Sequence, residues 1–288
     1  MSGRVAVLND RVVTKVFYVG ETATDATGNV TVAVEDANGA SLAGGTIGAN
    51  NGATGAYDFT LTAATHTAAL GKLKITWTAT VATLAVQDIQ YMEAVGARYF
   101  PRVQLRDMRG VNDPVRYLTA DLEWARDVAE EFFDQYLETS YVERVSTETY
   151  DGDGSTSLFV GRLPARSIVS ATIDGVAATI TGWTITSSGW LRTDGDIFTS
   201  AIAGQNIVIT YTWGRTDGVP SDLSRAALRF ARHVLLTEET TIPDRARMLQ
   251  TEIGLFHLDT ANEKQPTGLP EVDSVLTRYR HESPASFA

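Results

Sequence analysis

The chain of 288 residues has no cysteine, which excludes disulfide staples and thiolate metal sites and points to a reducing compartment or a particle assembled in one. Stability must then come from packing. Nowhere do about eighteen apolar residues run together, so no spanning helix and no membrane partner are expected. Arg4, Asp10 and Arg11 interrupt the stretch where a signal peptide would need an unbroken apolar segment, so no export signal is expected and the protein should be soluble. Histidine is scarce as well. His66, His233, His257 and His281 stand far apart, with no second ligand at metal spacing. H-E-x-x-H, G-x-S-x-G, a P-loop and Cys/His clusters are all missing. We therefore assign no catalytic, cofactor-binding or metal-binding residue and expect no enzyme; a hydrolase would need an unforeseen carboxylate pair.

Charge is divided unevenly. Residues 1–110 hold nine of the 24 Lys/Arg and nine of the 35 Asp/Glu, so the remainder, with 15 basic and 26 acidic residues, carries the whole net charge of −11. Such a surface repels phosphate, which argues against tight nucleic-acid binding by counterion release but suits a passive conduit for DNA.

From Arg11 to about Val95 the text is Thr, Val, Ala and Gly in short alternating runs at 11–18, 29–35, 56–61, 72–78 and 86–93, with no helical period between them. This predicts a small β-sandwich. The Gly/Asn stretch 44–55 lacks the Lys and following helix of a phosphate cradle and reads as a flexible hairpin tip. Composition changes near Gly96, which sets the expected domains at 1–96 and 97–288.

Residues 119–138 then read as a helix, with Leu118, Leu122, Ala125, Ala129, Phe132 and Tyr136 along one face and Thr119 as candidate cap. Its opposite face carries Glu123, Asp127, Glu130, Glu131, Asp134 and Glu138. Residue by residue this is expected to be solvated; the sharper expectation is a subunit interface or channel lining. Between 141 and 213 the two-residue period returns, with hairpin turns at Asp174-Gly175 and Ser188-Gly189. Ile207–Trp213 predicts a half-buried strand ended by Gly214, and Pro220-Ser221-Asp222 restarts the chain as an amphipathic helix. On that helix Arg225, Arg229 and Arg232 form a basic stripe, expected to pair with the acidic helix within or between subunits. Asp151-Gly152-Asp153-Gly154 has the look of a calcium loop but lacks the further ligands and reads as a tight turn. A last helix starts at Pro270, with Val272, Val275, Leu276 and Tyr279 on its apolar side.

The order of these segments resembles the head-to-tail adaptor (connector) proteins of long-tailed double-stranded DNA phages, particularly those infecting actinobacteria. The resemblance lies in TYDGDGS at 149–155, LPARSIVSATIDG at 163–175, TYTWG at 210–214 followed by P-S-D-L, and EVDSVLTRYR at 271–280, and it spans 115–282. It implies a helical adaptor domain with an inserted β-sheet; the N-terminal β-sandwich departs from the minimal pattern of that family and looks like an immunoglobulin-like addition, so the whole is expected to be an α+β chain. It implies no reaction and no cofactor. The implied state is a ring of about twelve copies in the virion neck, made in the host cytoplasm, docked on the portal protein and presenting a platform to the stopper or tail-completion protein, with DNA passing through. The capsid protein is a further partner open to the N-terminal domain. The implied core is Leu122, Ala125, Ala129, Ala226, Ala227, Phe230 and Leu276; the implied portal contact is Val272, Leu276, Tyr279 and Arg280. A surface or tail-fibre β-sandwich that binds glycan is the alternative, and it explains the first domain alone.

Overall fold

The computed structural model describes residues 3–193, 198, 206–237, 248–251, 254–257 and 265–281. Among the described residues it is a mixed α+β protein of open sheets and four helices. The first part is β1 (Gly3–Ala6), β2 (Arg11–Val16), β3 (Tyr18–Val19), β4 (Thr22–Ala23), β5 (Val30–Glu35), β6 (Ser41–Ile47), β7 (Ala56–Leu61), β8 (Gly71–Val81) and β9 (Leu84–Val95). Five of these form one sheet in the order β1-β9-β8-β5-β6, and β2 pairs separately with β7. Alternation decides which face is buried: Val30, Val32 and Val34 of β5 and Leu73, Ile75, Trp77 and Ala79 of β8 point inward, against Val13, Tyr57 and Leu61 of the β2–β7 ribbon.

The expected flexible tip at 44–55 is corrected in part. Strand β6 runs through Gly44 and Gly45, and a Cβ on Gly45 would lie 2.8 Å from the Phe59 ring. Glycine there lets Phe59 reach Trp77 edge-on at 6.5 Å. The tip itself is pinned, since Asp25 accepts hydrogen bonds from Asn50 (2.9 Å) and from the Gly55 N–H (2.6 Å).

A short helix α1 (Arg102–Arg106) leads to α2 (Thr119–Leu137). Leu118, rather than Thr119, occupies the cap position, and its N–H is taken by the Asp121 carboxylate at 2.7 Å. Next come β10 (Arg144–Tyr150), β11 (Ser157–Phe159), β12 (Ala165–Ile173), β13 (Val176–Ala177), β14 (Thr184–Ile185), β15 (Trp190–Arg192) and β16 (Ile207–Trp213). They form two small sheets, β10-β16-β12-β13 and β11-β15-β14. Strand β16 is central because its alternating Ile207, Ile209 and Tyr211 are wholly buried. The turn residues Asp174 and Gly175 both have positive φ, as a tight hairpin between β12 and β13 requires.

After Gly214 comes α3 (Ser221–Thr237), then the antiparallel pair β17 (Met248–Thr251) and β18 (Gly254–His257), and α4 (Pro270–His281). Leu122, Ala125, Ala129, Phe133 and Leu137 of α2 share one apolar core with Leu223, Ala227 and Ala231 of α3 and Val272 and Leu276 of α4. Each fully buried large side chain there contributes about 1.5–3 kcal/mol. All of the implied core residues lie in this cluster, with Phe230 partly buried at its margin. Asp222 ties the start of α3 to the end of α4 by accepting from Tyr279 Oη at 2.7 Å and pairing with Arg278. The inserted sheets have a separate core around Leu191, Phe198, Ile209 and Tyr211.

Candidate functional site

The densest chemistry in the molecule lies where the first sheet meets α2. Glu123, Asp127, Glu130 and Asp134 are spaced four, three and four, which sets them in one stripe along the helix. Strand β1 brings Arg4 to that stripe, β2 brings Arg11, the segment after β9 brings Arg98 and β10 brings Arg144. Strand β1 pairs in parallel with the end of β9, so Arg4 sits beside Glu93 on the sheet face that α2 covers. A Cβ on Gly3 would be 3.2 Å from both Arg11 Nη2 and Asp127 Oδ2, so the smallest residue marks the closest approach.

Asp127 accepts from the Arg4 N–H (3.1 Å), Arg11 Nη2 (2.7 Å) and Arg98 Nη2 (2.6 Å). Glu130 is fully buried; Arg98 Nε bridges both its oxygens at 2.9 and 3.0 Å, and the Tyr99 N–H adds a bond at 3.0 Å. Asp134 accepts from Arg144 Nη1 (3.0 Å) and Tyr99 Oη (2.7 Å), and Arg4 Nη1 lies 2.8 Å from it as an ion pair. The Arg4 carbonyl accepts from both Arg11 and Arg98. Arg144 also forks onto Glu93 at 2.8 and 2.5 Å, while Arg126 pairs with Glu123. Five arginines thus meet five carboxylates, and the lattice is close to neutral.

Burial and pairing pull the titrations in opposite directions. Burial would raise the Asp127 carboxyl, but the Arg98 and Arg11 guanidiniums outweigh it and hold Asp127 below the ordinary aspartate range. At Glu130 burial wins, and the carboxyl is pushed above the ordinary glutamate range despite Arg98, Arg126 and Arg4. Burial also raises the Tyr99 hydroxyl, reinforced by Asp134, so it stays a neutral donor.

This arrangement corrects the reading of the acidic face. Asp127, Glu130 and Asp134 are buried inside one chain against Arg4, Arg11, Arg98 and Arg144, so these three neither face solvent nor line a channel. Glu123 is half-buried among Arg11, Arg102 and Arg126. Off the stripe, Glu131 accepts from Gln135 at 3.3 Å and Glu138 is exposed. The basic stripe of α3 goes elsewhere: Arg229 lies 3.5 Å from Glu271, Arg232 donates to the Arg109 carbonyl at 2.8 Å, and Arg225 is exposed. Its pairing with the acidic helix inside the chain is therefore corrected as well. Of the implied portal contacts, Val272 and Leu276 are fully buried in the helical core and present nothing to a partner. Tyr279 is half-buried, edge-on to Tyr141 at 5.6 Å; Arg280 is half-exposed, its guanidinium 5.0 Å above the Tyr136 ring.

A second polar cluster lies in the insert, where Glu148 accepts from Tyr211 Oη (2.9 Å), the Gly161 N–H (3.0 Å) and Tyr150. Its bonds are satisfied internally, as in a packed polar core. No cluster of three metal-ligating side chains occurs among the described residues, and Asp153 instead accepts from the Ser155 N–H at 2.9 Å. No described helix is long and apolar enough to cross a membrane.

No family model matches the sequence, and no curated protein matches it. Similar solved structures come from gene transfer agent particles. A chain of "Virion of native gene transfer agent (GTA) particle" aligns with a TM-score of 0.42 and 13% identity over 63% of this chain and 89% of that one. A chain of "Neck of native GTA particle computed with C12 symmetry" gives 0.40 and 13% over 62% and 87%. A chain of "Neck of empty GTA particle computed with C6 symmetry" gives 0.38 and 13% over 50% and 82%. The likeness is distant, and no residue role is carried over from it.

Arg4, Arg98 and Arg144 were not singled out from the sequence. The available signal was the regular four-three-four spacing of carboxylates, which suits a paired seam as well as a wet face.

Proposed function

We propose that this chain is a structural protein of a phage neck, a head-to-tail adaptor whose copies form a ring between portal and stopper or tail. The observation that carries it is the packing of α2, α3 and α4 into one core with β10 to β16 inserted between α2 and α3. That is the arrangement implied by the segments whose order resembles the adaptors. Those segments, distant in sequence, are also neighbours in space: β12 pairs with β16, and the Gly214 N–H donates to the Pro164 carbonyl at 2.9 Å.

On this reading residues 97–288 are the adaptor domain, and residues 1–96 an immunoglobulin-like addition set outside the ring, available to a capsid partner. The lattice fixes that addition to the adaptor domain, so both move as one wedge. Because its carboxylates are neutralised within the chain, the repulsion that keeps DNA from adhering rests on the other acidic residues behind the net charge of −11. At the portal end, Tyr279 and Arg280 remain as candidate contacts. No chemical step is involved. Negative-stain images of the purified chain, alone and with purified portal, test the proposal: rings with a central hole support it, and monomers that ignore portal but bind glycan would replace it with the adhesion module.

A further inference from the structure

The apolar core of the first sheet and the apolar core of the helices share no residue. The chain passes between them once, from Ala94 in the first to Val95 in the second. Beside that crossing the seam is filled by the arginine–carboxylate lattice, where Arg4 is 3% exposed and the Arg98 side chain 6%. Each of Arg4, Arg11, Arg98 and Arg144 pairs with at least two carboxylates.

Strand β1 closes this seam. Among the described residues β9 is its one neighbour in the sheet. Val5 buries itself in the first core, while Arg4 points to the opposite face and joins the lattice through main chain and side chain alike. Its N–H goes to Asp127, its carbonyl takes Arg11 and Arg98, and its guanidinium lies 2.8 Å from Asp134 and 3.9 Å from Glu130.

A charged seam and an apolar one respond differently to opening. Removing a single partner leaves a buried charge unpaired, which costs far more than the net worth of the pair; parting the whole seam lets every charge regain water, which offsets much of the lost attraction. Half-open states are therefore the disfavoured ones. Shared partners enforce this, since an arginine that leaves strips two carboxylates at once. We propose that the lattice is a clasp that opens all at once, so that the first sheet parts from α2 while both apolar cores stay folded. Closed, the two parts form one rigid wedge; open, they stay joined by the crossing at Ala94 and Val95.

Modification of arginines in the full chain by phenylglyoxal, mapped by mass spectrometry, reads the opening; hydrogen exchange of β8 and α3 reads the two cores. Arg4 and Arg98 react only when the seam is open, whereas exposed Arg225 reacts throughout and sets the unprotected rate. In the wild-type chain Arg4 and Arg98 should share one protection factor and be modified on the same molecules. That factor should be at least about tenfold below those of the β8 and α3 amides. Arg144→Met should lower it about tenfold or more at both sites and leave β8 and α3 unchanged. Arg98 is the telling site, because it shares no carboxylate with Arg144. Unrelated protection at Arg4 and Arg98 would mean local fraying and overturn the clasp. So would protection equal to that of β8 and α3, which would mean opening only by global unfolding. An Arg144→Met effect that reaches Arg4 but not Arg98 would likewise overturn it. Should that variant fail to fold, the wild-type protection factors decide alone.

Discussion

Helix α2 is gripped on two sides by opposite means. Toward α3 and α4 it presents Leu122, Ala129 and Phe133 to an apolar core; toward the first sheet it presents Asp127, Glu130 and Asp134 to arginines, equally buried. The apolar side gains from removal of surface from water, and a shape-conserving exchange there changes little. The charged side has offset a large desolvation cost by fixed geometry, so its net contribution is small while the cost of breaking it is large. One side supplies stability, and the other fixes where the first sheet sits.

Breaking the lattice should give the largest effect. Arg98→Met leaves Glu130 and Asp127 short of their main partner and should lower unfolding free energy by about 3–5 kcal/mol in urea titrations. The apolar counterpart, Leu276→Ala, should cost about 2–5 kcal/mol, with no change in the shape of the pH profile.

The pH profile itself sharpens the contrast. The Asp127 carboxyl is depressed in the folded state, so its stabilising contribution is present at neutral pH and lost as pH falls through its folded value. Glu130, raised in the folded state, binds its proton first and favours the fold over that earlier interval. Urea midpoints should therefore hold through mild acid and drop only below the ordinary aspartate range. Asp127→Asn should lower stability at neutral pH and flatten that acid limb; a limb of unchanged steepness would show that Asp127 does not drive it. At the small end, Arg229→Ala removes a half-exposed pair with Glu271 and should cost about 0–1 kcal/mol in the same titration.

Much of the fold was legible. The strand Ile207–Trp213, the turn at Gly214 and the helix from Ser221 follow local periodicity and turn chemistry, and the structure has all three. The α2 core stripe was legible too, apart from Leu118, which is exposed, and Phe133 and Leu137, which are buried. Strand β1 was not, because four residues containing an arginine carry too little pattern. Its pairing depends on β9, some ninety residues further along the chain. The segment after α3, 238–256, reads as loosely helical or extended, and the structure has the antiparallel strands β17 and β18 at 248–251 and 254–257; residues 238–247 and 252–253 lie outside the described residues.

By itself the sequence determined which segments are strands and helices and which of their faces are apolar, because side-chain spacing and backbone preference act within a few residues. Only the tertiary structure decided whether the acidic stripe of α2 would be wet or sealed. A carboxylate's burial depends on where its counter-charge arrives; Arg4, Arg11 and Arg98 are brought to α2 from distant parts of the chain, and Arg144 by the reversal just after the helix.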